Sequence, residues 1–86
     1  MTDWIVQIAR PAEKDLQRLT ARDRDAVEQR IDQLAHDPFS TDIIKLQGNV
    51  DRWRIRVGNY RVVVRLESSG HLITVLHIRH RREVYR

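Results

Sequence analysis

The sequence predicts a single α+β domain of element order β-α-α-β-β-β-β, with a two-helix hairpin packed on one face of an antiparallel sheet. Three observations carry this reading. Apolar residues recur at helical spacing between Ala12 and Leu34. From Ile43 onward the apolar period changes to two. Two turn signals, Gly58-Asn59 and Ser68-Ser69-Gly70, then cut the alternating half into strands. At 86 residues the chain has room for one domain, residues 1–86, and one core.

Trp4-Ile5-Val6-Gln7-Ile8 is a β-rich run and supplies the first strand. Pro11 suits the first turn of a helix, where its missing N–H would have had no partner anyway. Ala12, Leu16 and Leu19 form that helix's apolar stripe, and Glu13, Lys14, Asp15, Gln17 and Arg18 fill its solvated face. Thr20 is the expected N-cap of a second helix, with Asp23 in the first turn where negative charge is favoured. Val27, Ile31 and Leu34 give this helix its stripe, and Asp37-Pro38 ends it. Ile43-Ile44-Lys45-Leu46 is the next strand, closed by a Gln47-Gly48-Asn49 turn. Trp53, Ile55 and Val57 alternate with Arg52, Arg54 and Arg56; after Gly58-Asn59, Tyr60, Val62, Val64 and Leu66 alternate with Arg61, Val63, Arg65 and Glu67. The last strand runs from His71 to Arg79, after a three-residue loop with Gly70 at the left-handed position.

The charge is unevenly divided. Residues 1–42 hold six Lys/Arg against nine Asp/Glu, a net −3, while residues 43–86 hold ten against three, a net +7. One part of the fold is therefore built to meet a polyanion. The chain has no cysteine, which excludes a disulfide framework, thiolate chemistry and zinc–thiolate sites. No apolar run approaches the ~18 residues of a membrane span, and no secretory segment follows Met1, so no membrane association and a cytoplasmic location are expected.

A two-residue loop at Gly58-Asn59 dictates the hairpin's register. Val57 pairs with Tyr60, Ile55 with Val62 and Trp53 with Val64, all on the core face. On the other face Arg56 meets Arg61, Arg52 meets Arg65, and Arg54 faces Val63. Like charges directly opposite each other destabilise a ladder by roughly 0.2–1 kcal/mol per pair. Two such pairs make sense where an anion neutralises them, and the guanidinium fork binds phosphate in two-point fashion. Counting on through Ser68-Ser69-Gly70 places Arg61 across from His77, Val63 from Val75 and Arg65 from Ile73. Val63, Ile73 and Val75 then form an apolar strip on the arginine face, either a second minor core or a groove for a partner.

The segment Arg79-His80-Arg81-Arg82-Glu83-Val84-Tyr85-Arg86 adds two groups able to move protons, His80 and Tyr85. Cleavage of RNA by its own 2′-hydroxyl needs a base, cationic stabilisation of the phosphorane and a donor for the leaving oxygen. Arginine stabilises charge but is a poor base; Tyr85 as phenolate, His80 or His77 are the candidates for that role. Asp51, Glu67 and Glu83 are isolated and do not suggest a two-metal site, so no metal and no cofactor are expected.

The order of these segments resembles the RelE/ParE toxin superfamily over nearly the whole chain. The matching stretches are Ala12-Glu13-Lys14-Asp15-Leu16 with Leu19, Asp37-Pro38, Lys45-Leu46-Gln47-Gly48, Trp53 to Val63, and His80-Arg81-Arg82-Glu83-Val84-Tyr85. The resemblance implies a RelE-like fold and the toxin half of a toxin–antitoxin pair. Its RelE-like branch cuts messenger RNA in the ribosomal decoding site without metal, so the implied partners are a cognate antitoxin, the ribosome and mRNA. Carried over by position, the catalytic set is Arg54, Arg56, Arg61, Arg81 and Tyr85, with Arg81 as leaving-group donor or phosphate stabiliser and Tyr85 as proton acceptor. Lys45, Arg52, Arg65, His77 and His80 are the expected RNA-binding residues. Two departures stand out: arginine replaces lysine at positions 54 and 56, and Arg79 stands where many relatives have glycine. With only Arg86 after Tyr85, the C-terminal helix of some relatives is not expected. The rival readings are a ParE-like inhibitor of DNA gyrase and an inactive module that only binds its antitoxin; oligomeric state is open.

Overall fold

The computed structural model of the chain describes residues 3–39, 43–46, 48 and 51–80. A short strand β1 (Ile5–Ile8) leads into helices α1 (Arg10–Arg18) and α2 (Ala21–His36). Strands β2 (Ile43–Lys45), β3 (Arg52–Val57), β4 (Tyr60–Glu67) and β5 (Leu72–His80) follow. They form one five-stranded sheet in the order β1-β5-β4-β3-β2.

Local chemistry sets the helix boundaries. Pro11 lies in the first turn of α1, as expected. Thr20 caps α2: its Oγ1 accepts a hydrogen bond from the Asp23 amide at 3.2 Å. Asp37 closes α2 and Pro38 follows, where a proline cannot continue a helix. Ala12 and Leu16 from α1, with Val27, Ile31 and Leu34 from α2, pack on Ile55, Val62, Val64, Leu66, Ile73, Val75 and Ile78 of the sheet. Among the described residues no helix is long and apolar enough to cross a membrane.

The β3–β4 hairpin has the expected register throughout, from Val57–Tyr60 to Arg52–Arg65. Gly58 has φ +57°, and Asn59 is not among the positive-φ residues, the arrangement of a type II′ turn. Gly48 has φ +77°, as a turn there requires; its flanks Gln47 and Asn49 lie outside the described residues.

Three expectations are corrected. The sheet is mixed, because β1 runs parallel to β5, pairing Ile5–Leu72 through Ile8–Val75. Nearly the whole chain separates these two strands, so no hairpin dictates an antiparallel match. The β4–β5 connection has four residues rather than three: a 3-10 turn, Ser68–Gly70, followed by His71 in the left-handed region at φ 49°. The register also slips between Val63–His77 and Val64–Val75, leaving Leu76 as an extra residue on β5.

Together the longer loop and the bulge overturn the apolar strip. Ile73 and Val75 pair with Leu66 and Val64 and lie in the core with no exposure. Beyond Leu76 the side chains change phase, so Ile78 also faces the core, at 4% exposure. Of the three residues only Val63 remains on the arginine face, at 9% exposure.

Candidate functional site

The sheet face away from the helices carries the arginines in rows that cross the strands. At the hairpin end, Arg56 of β3 pairs with Arg61 of β4, which pairs with Arg79 of β5. The next row runs Ile44, Arg54, Val63, His77. A third runs Arg52, Arg65, Thr74. The pleat explains this placement: alternate residues share a face, and Trp53, Ile55, Val62 and Val64 claim the other face for the core.

Carboxylates neutralise Arg65 and Arg79 on this face. Arg65 Nε lies 2.8 Å from Asp51 Oδ2 and its Nη2 3.3 Å from Glu67 Oε1. Arg79 Nη1 donates to both oxygens of Asp15, at 3.1 and 3.0 Å. Among the described residues no carboxylate pairs with Arg54 or Arg56. Arg56 is exposed and Arg54 half-buried, so both present charge to an incoming anion. Arg54 and Arg56 therefore form a cationic patch on this face.

His77 sits on this face opposite Val63. Burial pushes its pKa below the ordinary 6.5, with Arg79 and Arg52 acting in the same direction and Asp15 opposing. The ring is thus neutral at pH 7, and its Nδ1 is buried with no hydrogen-bond partner. A neutral imidazole beside guanidinium groups is able to accept a proton.

Two of the expected RNA-binding residues lie elsewhere. Lys45 pairs with Trp53, whose ring faces the helical side, and its Nζ stands 6.0 Å from that ring's centroid. His80 pairs with Tyr60 on the same side, and the two rings meet edge to face at 5.2 Å. Tyr60 in turn reaches Asp23 at the start of α2, 3.3 Å from hydroxyl to Oδ2. Asp23, Tyr60 and His80, together with Arg22, Ala26, Val57 and the Gly58-Asn59 turn, line an open cleft of about 250 Å³. The face thus brings together Arg52, Arg54, Arg56, Arg61, Arg65 and His77; Arg81 and Tyr85 lie outside the described residues.

Two residues that neither alternation nor resemblance singles out as functional, Asp15 and Arg79, belong to this site. Contrary to the expected solvated position, Asp15 is buried, and besides Arg79 its Oδ2 accepts from the Ile78 amide at 2.9 Å. That amide is on the margin of β5 past the end of β1, where pairing stops at Ile8–Val75 and the chain turns into α1. The signal was present: residue 15 is three past Ala12 and four before Leu19, within the same helical stripe.

Solved structures of RelE toxins share this fold of a helical hairpin on one face of the sheet. The archaeal RelE of the RelE–RelB complex from Pyrococcus horikoshii is 30% identical, with TM-score 0.82 over 94% of this chain and 97% of that one. A chain of the RelBE2 toxin–antitoxin complex of Mycobacterium tuberculosis matches in fold at TM-score 0.82 and 23% identity, covering 92% and 99%. A variant of Escherichia coli RelE in the free state matches in fold at TM-score 0.79 and 21% identity, covering 96% and 90%. No curated protein matches. Residues 6–85 match the model of the ParE toxin of type II toxin–antitoxin systems, parDE. The chain belongs to the RelE/ParE superfamily of type II toxin–antitoxin toxins.

Proposed function

We propose that the chain is a ribosome-dependent endoribonuclease that cuts messenger RNA without a metal ion and is held inactive by a cognate antitoxin. The observation that carries this reading is the placement of Arg54, Arg56 and Arg61 on one face, with Arg54 and Arg56 unpaired by carboxylate among the described residues. In the proposed step the 2′-oxygen attacks phosphorus and the P–O5′ bond breaks. The products are a 2′,3′-cyclic phosphate and a 5′-hydroxyl. Arg54, Arg56 and Arg61 stabilise the charge that grows on the phosphorane. By resemblance Tyr85 takes the 2′ proton and Arg81 serves the leaving oxygen. Among the described residues, His77 is a candidate base on the outer face. Among the described residues no group of three or more His, Cys, Asp or Glu is placed to hold a metal ion.

Relatives have been crystallised with RelB antitoxins. Ile73 and Val75 are buried and offer such a partner no surface, whereas Ile44, 51% exposed and paired with Arg54, is apolar surface beside the arginines. The match to the ParE model favours a second reading, inhibition of DNA gyrase. Mapping RNA ends after induction separates the two. Wild type should cut translated messages, and the double variant Arg54→Ala/Arg56→Ala should cut about 10²-fold or more slowly while still co-purifying with the antitoxin. Failure of supercoiling with intact messages would establish the gyrase reading instead.

A further inference from the structure

Arg79 is a cation that the ribonuclease reading leaves unassigned. Its Cα is directly opposite that of Arg61, which is opposite that of Arg56, so three arginines cross three neighbouring strands in one row. At about 4.8 Å per strand the row is about 10 Å wide, broader than one phosphate group. The position is also reached by an unusual route, since only the extra residue at Leu76 turns the end of β5 so that Arg79 shares a face with Arg61.

The resting partner of Arg79 is Asp15. One nitrogen, Nη1, makes both bonds to that carboxylate, and among the described residues Nη2 and Nε have no acceptor. The guanidinium fork is thus half used. Its side chain is 42% exposed, whereas that of Asp15 is 11% exposed. The carboxylate does not depend on Arg79 alone, because Oδ2 also takes the Ile78 amide proton at 2.9 Å. If the arginine turns toward another anion, Asp15 keeps a hydrogen-bonded place. This differs from Arg65, which two separate carboxylates hold at Nε and Nη2.

We infer that Arg79 is a further ligand for substrate phosphate, taking a phosphodiester adjacent to the one cleaved, and that Asp15 is the internal carboxylate with which that phosphate competes. This rests on the ribonuclease reading. RNA approaching Arg56 and Arg61 brings a neighbouring phosphate within reach of the Arg79 fork. The two carboxylates around Arg65 make the far end of the face a poor second phosphate site, so the RNA is biased toward the hairpin end, where Arg56, Arg61 and Arg79 share one row.

The test measures binding of a short 2′-O-methyl RNA oligonucleotide, which the 2′-hydroxyl chemistry cannot cut, by fluorescence anisotropy between about 50 and 200 mM salt. Wild type should show affinity that falls with salt. Arg79→Gln should bind about tenfold more weakly, and its log–log salt slope should be shallower by about 0.7, the loss of one phosphate contact. Arg79→Lys should recover the slope but not the full affinity, since it restores the charge without the fork. Asp15→Asn keeps an oxygen for the Ile78 amide and releases Arg79, so it should bind RNA several-fold more tightly than wild type. Gain on one side of the ion pair and loss on the other is an outcome that a purely structural brace between α1 and β5 does not produce. Wild-type slope and affinity in Arg79→Gln would overturn the inference while leaving the ribonuclease reading intact, even if antitoxin affinity fell. Weaker binding by Asp15→Asn would overturn the competition. A wild-type protein that binds this RNA without salt dependence, or not at all, would remove the RNA-binding face and this inference with it.

Discussion

Replacing Asp15 by alanine and by asparagine separates two interactions that share one carboxylate. Asp15 accepts from the buried Ile78 amide at 2.9 Å and from Arg79 Nη1 at 3.0 Å. Asparagine retains an oxygen for the amide and loses only the ion pair. Because the Arg79 side chain is 42% exposed, that pair is screened, and its loss costs below about 1 kcal/mol. Alanine removes both partners and leaves the Ile78 N–H at the sheet margin without an acceptor, a further cost of about 1–3 kcal/mol. Alanine is the better helix former by about 0.5 kcal/mol, which works against the expected difference. Asp15→Ala should therefore be less stable than Asp15→Asn by about 1–2 kcal/mol. For a domain of this size each kcal/mol lowers Tm by about 4–8 °C. Urea unfolding followed by circular dichroism reads the difference, with the slope against urea unchanged in both variants. Hydrogen exchange at the Ile78 amide should accelerate in the alanine variant and not in the asparagine variant. Equal stabilities, or equal protection at Ile78, would refute the assignment of Asp15 as the acceptor that finishes the edge of β5.

Two further outcomes test the electrostatics of the face. Arg56→Thr removes one member of the Arg56–Arg61 pair and puts a β-branched residue in its place, so it should stabilise the fold by about 0.5 kcal/mol while slowing RNA cleavage; a fall in Tm would show that the pair is not repulsive. His77 has a pKa below 6.5 in the folded protein, so between the two values the unfolded chain binds more protons and stability rises with pH. Wild type should accordingly lose stability as pH falls below about 6.5, and His77→Gln should show a shallower loss over that window in parallel thermal melts.

How legible the fold was depended on whether a local signal governed each pairing. Gly58-Asn59 leaves room for one hairpin register, and all six β3–β4 pairs follow from it. The caps at Thr20 and Asp37 were equally local. The parallel match of β1 with β5 has no such signal, because it joins segments at opposite ends of the chain. The burial of Asp15 was obscured by its charge, although its place in the Ala12–Leu19 stripe pointed inward. For the candidate site, the shared face of Arg54, Arg56 and Arg61 is readable from alternation alone, whereas the place of Lys45 and His80 on the helical side depends on the β2–β3 and β4–β5 registers, which no local signal sets.

The β5 register shows why alternation fails at that point and what its failure accomplishes. Ile73 and Val75 are two apart, but the next buried residue is Ile78, three further on, and a regular strand cannot place all three on one face. Without an extra residue, Ile73 and Val75 in the core would carry His77 and Arg79 inward with them. Ile78 would then lie on the arginine face. A buried arginine without a partner costs several kcal/mol, far more than the ladder disruption of a bulge. The bulge at Leu76 resolves the conflict by sending Ile78 inward and His77 and Arg79 outward. It also gives the row begun by Arg56 and Arg61 its third cation, so the same residue that completes the core extends the arginine face onto β5.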